Sequence, residues 1–262
     1  MTMRVGLEPA VSSRSRKIGS LSRDSIYEKQ GLHLLLLLAL LVLVGWFSRS
    51  EGLLGGSCLG VSAATWFWLS ILFPVLHQVW VWICWRMELH HQWLSQGLGT
   101  TGFKLYSAGF ALLSFARLYT LTATAIANQG SLEVDQGLLN VLALLLAIPT
   151  FYTFYSVGRY FSYKRALGID HFDPSYRTKP FVRQGIFRFT RNGMYTFGLM
   201  IVWIPGLIWA SKAALVSAAF SHLYIWVHYF CTELPDMRRI YGAARADGET
   251  GPVGAAEQGD PR

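Results

Sequence analysis

Long apolar runs separated by short polar stretches dominate the pattern along the chain. The clearest run is LHLLLLLALLVLVGWF at residues 32–47, which lies too deep in the chain, and is too long, for a standard signal peptide. A helix that crosses a membrane needs about 20 mainly apolar residues. The pattern therefore predicts six hydrophobic helices, at residues 31–48, 61–84, 105–127, 137–157, 194–210 and 213–230. The last two are short and close together, which predicts a tight helical hairpin.

Composition supports the same class of protein. Hydrophobic residues make up 52% of the 262 residues and charged residues only 15%, whereas soluble domains usually carry about 25% charged residues. We therefore predict an all-α fold, a polytopic integral membrane protein with about six transmembrane helices. The net charge of +8 does not indicate nucleic-acid binding, because the chain offers no soluble domain to present a basic face.

The distribution of basic residues predicts the orientation in the membrane. Residues 1–30 hold six Lys and Arg, and residues 158–192 hold eight, whereas residues 128–136 hold none. Because basic loops face the cytoplasm, both termini are expected on the cytoplasmic side.

Some ionisable residues fall inside the predicted spans, where such residues usually face a cavity or a partner: His77, Arg117, His222 and His228. For Arg117, two roles stay open: binding an anionic headgroup or carboxylate, or pairing with a polar group across the bundle. For each histidine a hydrogen-bonded structural role is favoured. The adjacent His90 and His91 do not share a helix face, and Cys58, Cys84 and Cys231 lack metal-like spacing, so no metal site is expected.

Two polar stretches could carry chemistry. Residues 179–195, KPFVRQGIFRFTRNGMY, alternate bases with aromatic rings around a turn set by Gly185. A role in membrane orientation alone would explain the positive charge of this stretch, but not the alternation of bases with aromatic rings. In the second stretch, residues 228–242, Pro235 is expected to end the last helix and to leave Glu233 just beyond it. A carboxylate at that negative end of a helix dipole needs a partner, either a cofactor group or an arginine such as Arg238.

These stretches, in this order around a short hairpin, resemble the membrane methyltransferases. That superfamily includes isoprenylcysteine carboxyl methyltransferase and the phospholipid N-methyltransferases. The resemblance covers residues 155–242 and rests on Phe181 to Phe187, Arg191 to Tyr195, Glu233 to Met237, and Tyr241 with Gly242.

The resemblance implies S-adenosylmethionine as cofactor and a lipid-like acceptor, either a carboxylate or an amine, reached within the membrane. The matching positions that would line the cofactor pocket are Lys179, Pro180, Phe181, Val182, Phe187, Asn192, Gly193, Met194, Tyr195 and Glu233. Arg117 and Tyr229 are expected on the acceptor side. Tyr229 stands where the carboxyl methyltransferases hold the substrate carboxylate with an arginine.

The chain departs from the family pattern at three positions. Asn192 and Gly193 replace the family His and Pro, and Leu234 replaces the second acid. Asn192 can still hydrogen-bond a ligand but cannot act as a base near neutral pH. Two alternatives stay open: an NADPH-dependent membrane sterol or steroid reductase, which has a related C-terminal pattern, and a non-catalytic membrane protein that retains the fold.

The predicted organisation has four parts. Residues 1–30 form a partly disordered cytoplasmic N-terminus, and residues 31–157 form four transmembrane helices. Residues 158–242 form the methyltransferase-like cofactor-binding region with its hairpin. Residues 243–262, rich in Gly, Ala and Pro, form a disordered tail.

Overall fold

The structure is a computed structural model that describes residues 26–242. The disorder predicted for the first 25 residues and for residues 243–262 therefore lies outside the described residues. The α-helices of the described residues are α1 (Gln30–Phe47), α2 (Ala63–His91), α3 (Trp93–Leu98), α4 (Thr100–Ala127), α5 (Gln136–Ser156), α6 (Tyr163–Ala166), α7 (Gly193–Thr196), α8 (Ile204–Ile208), α9 (Lys212–His228) and α10 (Leu234–Tyr241). Two short antiparallel strands, β1 (Ser57–Cys58) and β2 (Val61–Ser62), lie between α1 and α2.

Shorter helical turns complete the secondary structure. π-Helical turns occupy Val157–Phe161 and Tyr229–Glu233. 3₁₀ turns occupy Ile169–His171, Pro174–Tyr176, Gly185–Arg188 and Gly198–Val202. Most of these turns fall in the region of residues 157–202, which connects α5 to the C-terminal hairpin.

Five helical runs of the described residues are long and apolar enough to cross a membrane: Gln30–Phe47, Ala63–His91, Thr100–Ala127, Gln136–Phe161 and Lys212–Tyr241. The predicted all-α membrane fold is confirmed. The segment predicted as a sixth span, Gly193–Ile208, is shorter and consists of α7, a 3₁₀ turn and α8. Glycine and proline within it, at Gly198, Pro205 and Gly206, disfavour one continuous helix.

The hairpin predicted at the C-terminus is present. A sharp turn follows α8, and the Ser211 side chain then accepts a hydrogen bond from the Ala214 amide at 3.2 Å, which caps α9. Small buried residues on α9, including Ala218, let its backbone approach the neighbouring helices closely. The Ser70 hydroxyl, on α2, donates to the Ser217 hydroxyl at 2.7 Å, so α9 is fixed in the centre of the bundle.

The last transmembrane helix does not end before Glu233, contrary to the sequence-based prediction. The chain continues from α9 through the π-helical turn Tyr229–Glu233 into α10. Pro235 lies in the first turn of α10, the position at which a helix tolerates proline best. Glu233 therefore lies inside a helical run, and the argument from the end of the helix dipole does not apply to it.

The turn predicted at Gly185 is confirmed, since its φ is +60°. Immediately after it, the Ile186 amide donates to the Ser156 hydroxyl at 3.0 Å, which ties the loop to the end of α5. Within the same loop, hydrogen bonds from Ser175 hold the pKa of the Asp173 carboxyl below its ordinary value. The connecting region is thus a folded structure that packs on the helices.

Candidate functional site

A cavity of about 330 Å³ lies inside the bundle. Its walls come from α2, α4, α5 at Phe154, α6 at Ala166, the segment 194–202, and α9. Most of the lining is apolar or aromatic. The polar and ionisable side chains among the lining residues are His77, Gln78, Ser114, Arg117, Tyr195 and His228. Binding sites for small molecules have this character, a mostly apolar enclosure with a few placed polar groups.

Tyr195 and Glu233 form the contact that joins the two predicted stretches. Tyr195 lines the cavity, and its phenol donates a hydrogen bond to the Glu233 carboxylate. Glu233 thus has a partner within the protein in Tyr195. The Tyr229 ring lies 5.8 Å from the Tyr195 ring and packs against it edge-on. Tyr195 and Glu233, 38 positions apart in the chain, therefore meet at the cavity wall through Tyr195.

Arg117 lines the same cavity from α4 and is buried. Its Nη2 donates to the Ser221 carbonyl oxygen, on α9, at 3.1 Å, so the pairing across the bundle considered from the sequence is present. Its Nε has no hydrogen-bond partner among the described residues. The two roles left open for Arg117 are therefore compatible in this geometry, because one part of the guanidinium is anchored and another part is available.

Two buried histidines of the cavity wall also have unpaired nitrogens. Both ring nitrogens of His77 and the Nδ1 of His228 lack a hydrogen-bond partner within residues 26–242. The structural, hydrogen-bonded role favoured from the sequence fits His222, whose Nδ1 accepts from Trp203 Nε1 at 3.0 Å. It does not fit His77. An unsatisfied buried polar group costs free energy, so its presence calls for an explanation.

Some predicted cofactor residues form an apolar cluster beside the cavity. Phe187 is buried and stacks on Phe161 with ring centroids 4.9 Å apart. Val182 and Met194 pack in the same cluster, and Met194 also lines the cavity. Gly193 is buried there too, where a Cβ atom would lie 3.0 Å from Ile186 Cγ2. These residues connect the loop to the cavity wall.

The remaining predicted cofactor residues lie nearer the surface. Lys179 places its Nζ 3.5 Å from the centroid of the Tyr176 ring. The Pro180 carbonyl accepts from Arg165 Nη1 at 3.1 Å, and the exposed Phe181 ring lies 5.0 Å from that of Tyr241. The predicted set thus extends from the outer face of the loop to the cavity and is not gathered at one point.

Asn192 lies between these two groups. It is half-buried, and its carbonyl accepts the amides of Tyr195 and Thr196 at 3.0 and 2.8 Å. Its side chain does not cap α7. The backbone of Asn192 thus starts the turn that positions Tyr195, whether or not its side chain meets a ligand.

Sequence reasoning missed a buried ionic network beside the site. Arg86 and Asp236 form an ion pair with Nε to Oδ1 at 2.7 Å, and neither side chain is exposed. His171 places its Nε2 3.5 Å from Asp236 Oδ2, and its ring stacks on Trp85 at 4.2 Å. Arg86 lies two positions beyond the span predicted at 61–84, but the structure places it inside α2. In the sequence, Arg86 is recognisable only as a charge at an aromatic-rich helix end. A residue at a membrane interface has the same pattern, so the buried ion pair was not predictable.

Residues 138–244 match the family model of the phospholipid methyltransferases. The matched region includes α5, the connecting loop, the hairpin and α10, and therefore both Tyr195 and Glu233. The match confirms the resemblance to the membrane methyltransferase superfamily that the sequence motifs indicate. Two further comparisons, with curated proteins and with solved structures, give no match.

Proposed function

We propose that this protein transfers a methyl group from S-adenosylmethionine to a lipid-like acceptor inside the membrane. The observation that carries the proposal is the hydrogen bond between Glu233 and Tyr195, which lines the cavity. Both residues come from motifs that resemble the methyltransferases, and both fall in the region that matches the phospholipid methyltransferase family.

The residues around Tyr195 suit the cofactor chemically. Among the described residues, the Glu233 carboxylate accepts one hydrogen bond, from Tyr195, and a carboxylate has acceptor capacity for more, such as an amine or a ribose hydroxyl. Apolar and sulfur-containing side chains, Met194 among them, offer a wall for a flat ring and a thioether-like chain. The unpaired nitrogens of the cavity wall offer further polar contacts. In this assignment the loop residues from Lys179 to Phe187 cover the cofactor on its outer side.

The acceptor is assigned to the part of the cavity near Arg117. Arg117 is anchored at Ser221, which lies 12 positions before Glu233, a separation of about 18 Å along a helix. Phe154 lines the cavity and is 39% exposed on the outer surface of the bundle. A lipid-like molecule could therefore enter sideways from the membrane beside Phe154, while the cofactor enters from the side of the connecting loop.

Methyl transfer requires little from the protein beyond the alignment of cofactor and acceptor. When bound, S-adenosylmethionine supplies a methyl group that its sulfonium already activates. The chain aligns the two partners and excludes water, which raises the effective concentration of the acceptor and removes competing solvent. A carboxylate or a free amine needs no general base, so replacement of the family histidine by Asn192 does not preclude the reaction.

The ionic network supports this geometry from outside the cavity. Asp236 follows Glu233 by three positions and is fixed by Arg86 on α2. Arg86 Nη2 also donates to the Thr232 carbonyl at 3.4 Å. Both contacts hold the backbone on either side of Glu233, so we assign Arg86 and Asp236 as positioning residues.

Transfer of a radiolabelled methyl group tests the proposal. Purified protein in vesicles of membrane lipid is incubated with labelled S-adenosylmethionine, and label is counted in the organic extract. We expect label to be transferred by the natural chain and by Glu133→Ala, which changes an exposed acid away from the cavity, and to be lost in Glu233→Ala. Lipid extracts that never acquire label would contradict the proposed activity.

A further inference from the structure

The polar part of the cavity wall is dominated by groups that donate hydrogen bonds or carry positive charge. Arg117 comes from α4, His77 from α2 and His228 from α9, so three helices contribute one such group each. All three side chains are more than nine-tenths buried and line the cavity. Three independent helices thus present nitrogen atoms to one enclosed space.

Several nitrogen atoms of these three side chains make no hydrogen bond within the described part of the protein. The Nε of Arg117, both nitrogens of His77 and the Nδ1 of His228 have no hydrogen-bond partner among the described residues. The His77 ring instead meets the Phe110 ring edge-on at 4.4 Å. A buried polar group without a partner is costly, and in a membrane interior water does not compensate it, so a ligand with acceptor atoms is the natural complement.

The charge of the wall decides which ligand fits. No Asp or Glu is among the described residues that line the cavity, and Arg117 is a permanent cation there. An ammonium group would be repelled by Arg117 and would meet no carboxylate near it. A carboxylate would accept from Arg117 and from a neutral imidazole N–H at once, as charge-assisted hydrogen bonds. Glu233 is not among the lining residues and accepts a hydrogen bond from Tyr195.

We infer that the site formed by Arg117, His77 and His228 binds the carboxylate of a lipid-like acceptor, so that the reaction is methylation of a carboxyl group and not of an amine. This inference rests on the proposed function for its donor. A carboxylate oxygen forms the new C–O bond with the methyl carbon as the C–S bond of the sulfonium breaks. An anion and a cation become a neutral ester and a neutral thioether, and no proton moves.

The same nitrogen atoms would also suit the carboxylate of the cofactor, so the two sources of this chemistry need separate tests. We assign the site to the acceptor because Arg117, its permanent cation, is anchored at Ser221, 12 positions before Glu233 in the helical run Lys212–Tyr241. Binding of S-adenosylmethionine to Arg117→Gln is the first arm. We expect its affinity to stay within threefold of that of the natural chain. A loss of tenfold or more would assign Arg117 to the cofactor and overturn the inference.

The second arm compares three amphiphiles that share one saturated chain: hexadecanoate, methyl hexadecanoate and hexadecylamine. Each is titrated calorimetrically into the full chain in detergent, at one micelle concentration and at a pH where the acid is ionised and the amine protonated. We expect hexadecanoate to bind at least tenfold more tightly than the other two. Equal binding of all three, or preference for the amine, would overturn the inference.

Substitutions show which residues cause the preference for hexadecanoate. Arg117→Gln should reduce the preference for hexadecanoate at least tenfold, and His77→Leu should reduce it at least fivefold. Arg117→Lys should keep part of the preference. His222→Gln is the matched control, because His222 is already bonded to Trp203 and does not line the cavity. Since His77 has no partner to lose, His77→Leu should fold at least as stably as the natural chain. A preference that survives in Arg117→Gln would contradict the assignment.

The test separates the inference from the activity. If hexadecanoate is preferred but S-adenosylmethionine does not bind, the anion site stands and the proposed methyltransferase does not. If S-adenosylmethionine binds and label is transferred only to amines, the methyltransferase stands and the carboxylate inference fails.

Discussion

The guanidinium of Arg86 and the carboxylate of Asp236 form a fully buried ion pair at 2.7 Å, although 150 positions separate them in the chain. The pair joins α2, which lies outside the region that matches the methyltransferase family, to α10, which lies within it. The N-terminal helices therefore take part in holding the C-terminal motif and do not serve as an anchor alone.

Asp236→Ala should destabilise the protein by about 3–5 kcal/mol, because it leaves the buried Arg86 without its charge partner. Thermal or denaturant unfolding in detergent, followed by circular dichroism, measures the change. Glu28→Ala is the control, since Glu28 pairs with Arg239 where both side chains are about one-third exposed, and should cost less than about 1 kcal/mol. Similar losses in the two variants would show that the buried pair has no special role.

The contact between Tyr195 and Glu233 predicts a binding defect without a folding defect. Glu233→Ala should weaken S-adenosylmethionine binding at least tenfold, since a hydrogen bond to a charged group contributes about 1.5–3 kcal/mol. Tyr195→Ala should weaken it as well, because Tyr195 lines the cavity and orients the acid. Thr196→Ala, which changes a residue that does not line the cavity, is the control. Unchanged affinity in both site variants would remove this pair from the cofactor site.

Apolar patterning predicted most of the fold, because each long span is specified by its own residues. The spans expected at 61–84 and 105–127 are longer in the structure, as Ala63–His91 and Thr100–Ala127. The extra turns of α2 contain Arg86 and Glu88, which are buried by packing, and burial is not visible in composition. Arg86 is the clearest case, since its partner lies in another part of the chain.

Residues of the candidate site were predictable only where they belong to a sequence motif of the family. Tyr195 and Glu233 were found through the family pattern, and the structure brings them together. His77 and His228 were recognised as ionisable residues within spans, but their lack of partners depends on how three helices pack. The continuation past Pro235 was missed because a π-helical turn lets the chain accept proline at the start of a new helix.

Gly185→Ala should destabilise the connecting loop. The residue has φ +60°, and an added Cβ would collide with the Ser156 hydroxyl, which accepts the Ile186 amide. We expect a loss of about 1–3 kcal/mol in the free energy of unfolding. Gly130→Ala separates the two causes, because Gly130 has φ +70° with open space around its Cβ position. If Gly130→Ala costs as much as Gly185→Ala, the contact with Ser156 contributes nothing.

The charge of the loops predicts that residues 49–60 and residues 158–192 face opposite sides of the membrane. Leu59 is 76% exposed and Thr178 is exposed, so both are suitable for cysteine labelling. In a background without Cys58, Cys84 and Cys231, an impermeant thiol reagent added outside intact cells should label Leu59→Cys and not Thr178→Cys. Labelling of both from the same side would refute the predicted orientation.

Equilibrium binding of S-adenosylmethionine and of NADPH to the purified full chain tests the central claim most directly. The account predicts saturable binding of S-adenosylmethionine, weakened at least tenfold in Glu233→Ala and retained in Glu133→Ala, and no saturable binding of NADPH. Saturable binding of NADPH without binding of S-adenosylmethionine would contradict the claim and favour a membrane reductase.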